Sequence, residues 1–150
     1  MITFLRYLTI ALLATVFSVA TPCHADVDMD RLVVVTSIKN PISSMEKEQL
    51  IDLFMGKYVA FPNGTLAAPL DVGGKNTIKS EFYRNLVGLP LARVNSYWSR
   101  LKFTGSAIPP EQVNNIEEIQ RRVEQQSNVV AYLYQSQLTE NMKVVYQFEY

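Results

Sequence analysis

The sequence predicts an α/β fold, and three observations predict it. Strand-like and helix-like stretches alternate along the chain. The strand-like stretches are β-branched and apolar, whereas the helical ones carry apolar residues at three- and four-residue spacing and close on glycine. No internal repeat, low-complexity tract or linker interrupts the alternation, so one compact α/β sandwich is expected.

The chain opens on an export segment. Arg6 supplies a positive start, and Tyr7 to Ala20 form a mostly apolar run too short to span a bilayer comfortably. Cys23-His24-Ala25 offers small residues where a signal peptidase reads, which predicts cleavage before Asp26, with a cut after Ala20 as the alternative. Residues 1–25 are therefore read as a cleaved signal peptide and residues 26–150 as a single domain, exported to the periplasm. A lipoprotein reading of Cys23 is disfavoured, because Pro22 stands where a small residue is needed.

Cleavage removes Cys23 and His24, the chain's one cysteine and one histidine. The mature domain then has no disulfide framework, cysteine nucleophile, histidine triad or usual zinc or copper ligand set. No catalytic residue, metal site or cofactor is expected, and the chain is not read as an enzyme. One of the 14 basic residues, Arg6, leaves with the signal, so 13 basic face 14 acidic residues in the mature chain. That near-neutral balance, without runs of like charge, argues against a nucleic-acid partner. No second apolar stretch approaches membrane-spanning length.

Within the mature chain, Arg31 to Ile38 is β-branched and almost continuously apolar, as a strand buried on both faces is. Lys39-Asn40-Pro41 ends it. Ser43-Ser44-Met45-Glu46 fits a capping box for a helix with Leu50, Leu53 and Phe54 inward and Gly56 as its stop. Phe61 to Gly64 is turn chemistry, Leu66 to Val72 a short strand, and Gly73-Gly74 its break. A second helix is expected from Asn76 or Thr77, with Ile78, Phe82 and Leu86 on one face and Gly88 and Pro90 closing it.

A third helix carries Leu91, Val94, Trp98 and Leu101 on one stripe and ends by Gly105. After the Ile108-Pro109-Pro110 loop, Asn115 and Glu118 form a cap-like pair opening a fourth helix with Ile116, Ile119 and Val123 inward. Val129 to Tyr134 and Met142 to Phe148 read as strands. Trp98 belongs to the helix stripe, so core packing is preferred over ligand stacking for Tyr97-Trp98 and Phe103. Glu117-Glu118 sits in a first helical turn, where acids favour the dipole, and reads as a solvated face.

One segment has merit as an anion site. Gly73 to Thr77 places glycines, which let a ligand approach the backbone, ahead of a helix N-terminus with unpaired N–H donors and a positive dipole end. Gly74, Lys75, Asn76, Thr77 and Lys79 are the candidate ligand-binding residues, with Ser43 and Ser44 as further hydroxyl donors. The same residues also read as a glycine turn with Asn76 or Thr77 as an ordinary N-cap, and the serines as caps. A nucleotide-binding loop is excluded, because Asn76 and Pro69 occupy the positions where that motif needs Ser or Thr and Gly.

The order of these motifs resembles one lobe of the phosphate-type periplasmic solute-binding proteins. The residues that carry the resemblance are Val33 to Ile38, Asn40-Pro41, Leu50 to Lys57, Phe61 to Gly64, Leu70 to Phe82, Tyr97-Trp98, Phe103-Thr104-Gly105 and Val129 to Tyr132. The resemblance covers nearly all of residues 31–148. It implies a single type II periplasmic-binding-protein lobe, a mixed sheet flanked by helices, whereas full-length relatives hold ligand between two lobes. It also implies phosphate or a similar oxyanion as ligand and the membrane subunits of an ABC importer as partner.

The chain departs from the family where the anion is held. Gly73-Gly74-Lys75-Asn76-Thr77 replaces the Ser-Gly-Thr turn, no Arg stands just before it, and Lys79 stands nearest the helix-start Arg of short members. Lysine neutralises charge but lacks the bidentate fork. The alternative reading is a periplasmic interaction or accessory module that has lost anion binding, with a partner protein or second copy against its open face.

Overall fold

The computed structural model describes residues 30–149 apart from Lys75. The signal segment and its cleavage site lie outside the described residues. Five strands and four helices form the α/β lobe: β1 (Leu32–Ser37), α1 (Lys47–Phe54), β2 (Ala68–Val72), α2 (Thr77–Val87), α3 (Leu91–Thr104), β3 (Glu111–Val113), α4 (Ile116–Gln125), β4 (Val129–Tyr134) and β5 (Met142–Gln147).

The sheet order is β3-β2-β4-β1-β5. β2 runs parallel to both β3 and β4, while β1 runs against β4 and β5. Parallel neighbours need a crossover; α2 and α3 supply it between β2 and β3, and α4 supplies it between β3 and β4. The sheet is therefore mixed, with β1 alone reversed. Every residue of β1 is buried. A strand presents alternate side chains to opposite faces, so both faces of the sheet are covered at β1, as its unbroken apolar run predicts.

The helix boundaries follow local chemistry. The Asn76 side chain accepts the Ile78 N–H at 3.1 Å, and Gly88 ends α2 in the left-handed region at φ 69°. Gly105 closes α3 in the same way, and Asn115 caps α4 by accepting the Glu118 N–H at 2.9 Å. Ile119 and Val123 turn inward against β1 and β4. Phe54 and Phe82 meet edge to face at 4.8 Å, and Phe82 stacks on Tyr132 at 3.9 Å. That aromatic group joins α1 and α2 to β4.

One expectation needs correction. Ser43 and Ser44 do not cap α1, which begins at Lys47 behind Glu46, whose N–H is taken by Gln49 Oε1 at 2.8 Å. The reason lies in β5. Val34 opposes Tyr146 and Val35 opposes Val144, which leaves Val145 as a bulge. Its carbonyl accepts the Met45 N–H at 2.8 Å, so the chain stays extended past Ser44 and the helix starts later. β3 is a three-residue edge strand in a stretch to which the sequence reading assigned no element.

Candidate functional site

The most heavily organised polar group of the lobe grows out of the end of β2. β2 pairs with β4 at Ala68↔Val129 and Pro69↔Val130, a register that brings Asp71 level with Tyr132. Past Pro69 the Tyr132 side chain takes over from the ladder. Its hydroxyl accepts the Val72 N–H at 3.3 Å and donates to Asp71 Oδ1. From the first turn of α2, the Lys79 ammonium lies 2.8 Å from Asp71 Oδ2. One turn on, the Tyr83 hydroxyl donates to the same oxygen at 3.2 Å.

An acid inside an apolar strand demands such partners, because an unpaired buried carboxylate is very costly. Asp71 thus holds three donors, and its charge is matched by Lys79. Burial pushes the phenol pKa of both Tyr83 and Tyr132 well above the ordinary value, and the adjacent Asp71 charge adds to the shift. Both hydroxyls stay protonated and act as donors.

Beside this ion pair lies a cleft of about 190 Å³. Asp71 and Lys79 form part of its lining. Asn95, Trp98, Ser99 and Lys102 line it from one face of α3, and Gln112 from β3. Trp98 is held across the backbone of Gly56, and its buried indole N–H has no acceptor among the described residues.

The residues singled out from the sequence fall into three places. Gly74 (φ 75°), Asn76 and Thr77 follow one another at the surface turn between β2 and α2. The Gly73 N–H donates to the Val113 carbonyl at 2.8 Å, which ties this turn to β3. Lys79 does not join them, for its side chain turns inward to Asp71 and the residue is 3 % exposed. Ser43 and Ser44 are exposed on the β1–α1 connection. β1 runs opposite to β2, so that connection leaves the other end of the sheet. Lys75 lies outside the described residues.

Trp98 packs in the core as its stripe predicts, and the Tyr97 hydroxyl donates to the Met55 carbonyl at 2.8 Å. Phe103, by contrast, is 93 % exposed and belongs to no core. Among the described residues no cluster of His, Cys, Asp or Glu is arranged to hold a metal ion, and no helix is long and apolar enough to cross a membrane. Sequence reasoning missed Asp71, Asn95, Ser99, Lys102 and Gln112. The one available signal was Asp71 itself, an acid between Leu70 and Val72 in a strand otherwise free of charge.

No family model and no curated protein matches the chain. Solved structures do resemble it. They include an ABC-type phosphate transport receptor from Vibrio cholerae, with a TM-score of 0.61 and 14% identity over 77% of this chain and 45% of the receptor. A protein from Clostridium perfringens, assigned as a phosphate ABC transporter substrate-binding protein and solved with bound phosphate, gives 0.62 and 13% over 77% and 44%. A possible phosphate binding protein from Planctomyces limnophilus gives 0.58 and 14% over 77% and 40%. At these identities the likeness is one of fold. The chain spans less than half the length of each of these structures and corresponds to a partial lobe of them.

Proposed function

We propose that this chain is an exported solute-binding lobe for phosphate or a similar oxyanion, working in the periplasm with an ABC importer and binding its solute without transforming it. The observation that carries the reading is the Gly74-to-Thr77 turn. Its Gly74 and Thr77 stand exposed between β2 and α2, and Asn76 caps the helix that follows, on a fold shared with three phosphate-type proteins. Backbone N–H groups at a helix start suit an oxyanion, and glycine leaves room for its approach.

Calorimetric titration of the purified protein with phosphate, with sulfate as control, tests it. Saturable micromolar binding that Thr77→Ala weakens is the expected result. No heat from either anion in a folded protein would overturn the reading.

A second reading has its own observation. Asp71 neutralises Lys79, the cation nearest the turn in sequence among the described residues, so the turn gains little attraction from it. This favours an interaction or accessory module built on a binding-protein lobe. Stable self-association at micromolar concentration, measured by sedimentation without added anion, is its expected signature. A strictly monomeric chain that binds phosphate would count against it.

A further inference from the structure

Charge is sorted unevenly along this chain, and the positive share gathers on α3. Between Glu81 and Glu111 stand four basic residues, Arg84, Arg93, Arg100 and Lys102, and no acid. The remainder of residues 26–150 holds nine basic residues against all 14 acids. Arg93, Arg100 and Lys102 are exposed and form no ion pair among the described residues. At about 100° per residue, Arg93, Ser96, Arg100 and Phe103 fall within about 80° of one another, on the side of α3 away from buried Val94 and Trp98. Arg93, Ser96 and Arg100 line an open groove there with Leu89, Pro90 and Tyr97.

Two large apolar side chains stand beside these cations. Phe103 is 93 % exposed in the last turn of α3, and Ile108 is 87 % exposed in the loop that follows. The intervening chain reaches at most about 17 Å, so both project near one end of the helix. Singly, exposed apolar residues are ordinary. Beside three unpaired cations they form the arrangement of an interfacial anchor, with apolar bodies at the acyl boundary and positive groups at the headgroups. A protein partner would need a pocket shaped for each side chain, whereas a bilayer boundary accepts them at any spacing. The acid-rich remainder is repelled by an anionic surface, which turns α3 toward it.

We propose that the outer face of α3, with Phe103 and Ile108 at its end, docks on an anionic phospholipid surface. Arg93, Arg100 and Lys102 meet the headgroup phosphates, and the two apolar side chains enter the boundary beneath them. The glycine turn takes no part, so solute binding and membrane docking stand or fall separately.

Co-sedimentation with vesicles tests the proposal on the chain from Asp26 onward, which keeps every described strand and helix. Leaving out residues 1–25 removes their own apolar run as a source of binding. The protein is expected to bind vesicles of equal parts phosphatidylglycerol and phosphatidylcholine, less so as salt is raised, and to bind phosphatidylcholine alone far more weakly. Arg93→Gln and Arg100→Gln should each weaken binding about fivefold, and Phe103→Ser about tenfold. All three positions are exposed, so thermal melts should stay unchanged. Arg31→Gln combined with Lys39→Gln removes as much charge as the Arg93/Arg100 pair from exposed positions elsewhere and should cost far less.

Absence of vesicle binding would overturn the proposal, as would equal binding to phosphatidylcholine alone or equal losses from the two double variants. Self-association that the Arg93/Arg100 pair abolishes, beside bare vesicles, would overturn it too and assign the face to a second copy. Phosphate heat at the glycine turn without vesicle binding would overturn this docking face and leave the solute reading intact.

Discussion

The Lys79 ammonium and the Asp71 carboxylate face each other at 2.8 Å with both side chains almost wholly withdrawn from solvent. Removing either partner leaves a buried charge, which costs about 3–5 kcal/mol, whereas apolar replacement of both is often close to neutral. The two single variants should differ. Lys79→Met leaves Asp71 with two phenol donors, while Asp71→Leu takes away the one acceptor Lys79 has among the described residues. Urea denaturation is expected to rank Asp71→Leu as the more damaging. The double variant should be far more stable than the sum of the single losses implies. Simple additivity would show that the pair is not coupled.

Gly56 offers a sharper packing test. Its φ is +71°, and a Cβ there would stand 2.6 Å from Cη2 of Trp98 and 3.3 Å from the Ala107 Cβ. Gly56→Ala combines left-handed strain with overpacking, for a loss of about 2–4 kcal/mol. Gly64 has φ +82°, and a Cβ added there would meet nothing within 4 Å, so Gly64→Ala should show the strain alone, about 1 kcal/mol. Thermal melts read both, and the emission of Trp98 should shift only in the Gly56 variant. Equal losses in the two would refute the role of the indole contact.

The local grammar of this fold was legible in the sequence. Val129–Tyr134 has the strand bounds its composition predicts, and Asn76, Asn115, Gly88 and Gly105 punctuate the helices where their side chains or backbone freedom require. Long-range geometry was not legible. The late start of α1 depends on a carbonyl freed by a bulge in β5, about a hundred residues away along the chain, and nothing near Ser43 signals it. β3 is too short to show a period and exists by pairing with β2. The inward turn of Lys79 follows from Asp71, whose need for a cation is visible only once Leu70 and Val72 are known to be buried around it.

Asn40 is 4 % exposed and joins three segments. Its Nδ2 donates to the Ser127 carbonyl at 2.7 Å, its Oδ1 accepts the Ile42 N–H at 2.8 Å, and its own carbonyl accepts from the Lys143 ammonium. Asn40→Ala removes both side-chain bonds and leaves a carbonyl and an amide without their partners. The expected loss is about 2–3 kcal/mol in denaturant unfolding. Hydrogen exchange at the Ile42 amide should accelerate beyond what the global loss explains. A loss below about 0.5 kcal/mol would mean that water replaces both bonds.

The buried phenols set the response to alkali. Tyr83 and Tyr132 both have folded pKa values raised above the ordinary phenol value of 10.0, chiefly by burial and next by the Asp71 charge. The folded state therefore holds these protons more tightly than the unfolded one. Their contribution to stability is complete below pH 10 and is lost as pH climbs from there toward the raised values. Each tyrosine steepens the decline by about 1.4 kcal/mol per pH unit, so the pair gives a slope near twice that. Tyr83→Phe and Tyr132→Phe should each remove one such increment, read as urea midpoints between neutral pH and pH values above 10. Phenolate absorbance should show these two hydroxyls ionising only as the protein unfolds. If both ionise in the folded protein near pH 10, the Asp71 cluster is open to solvent and its account as a closed ion pair fails.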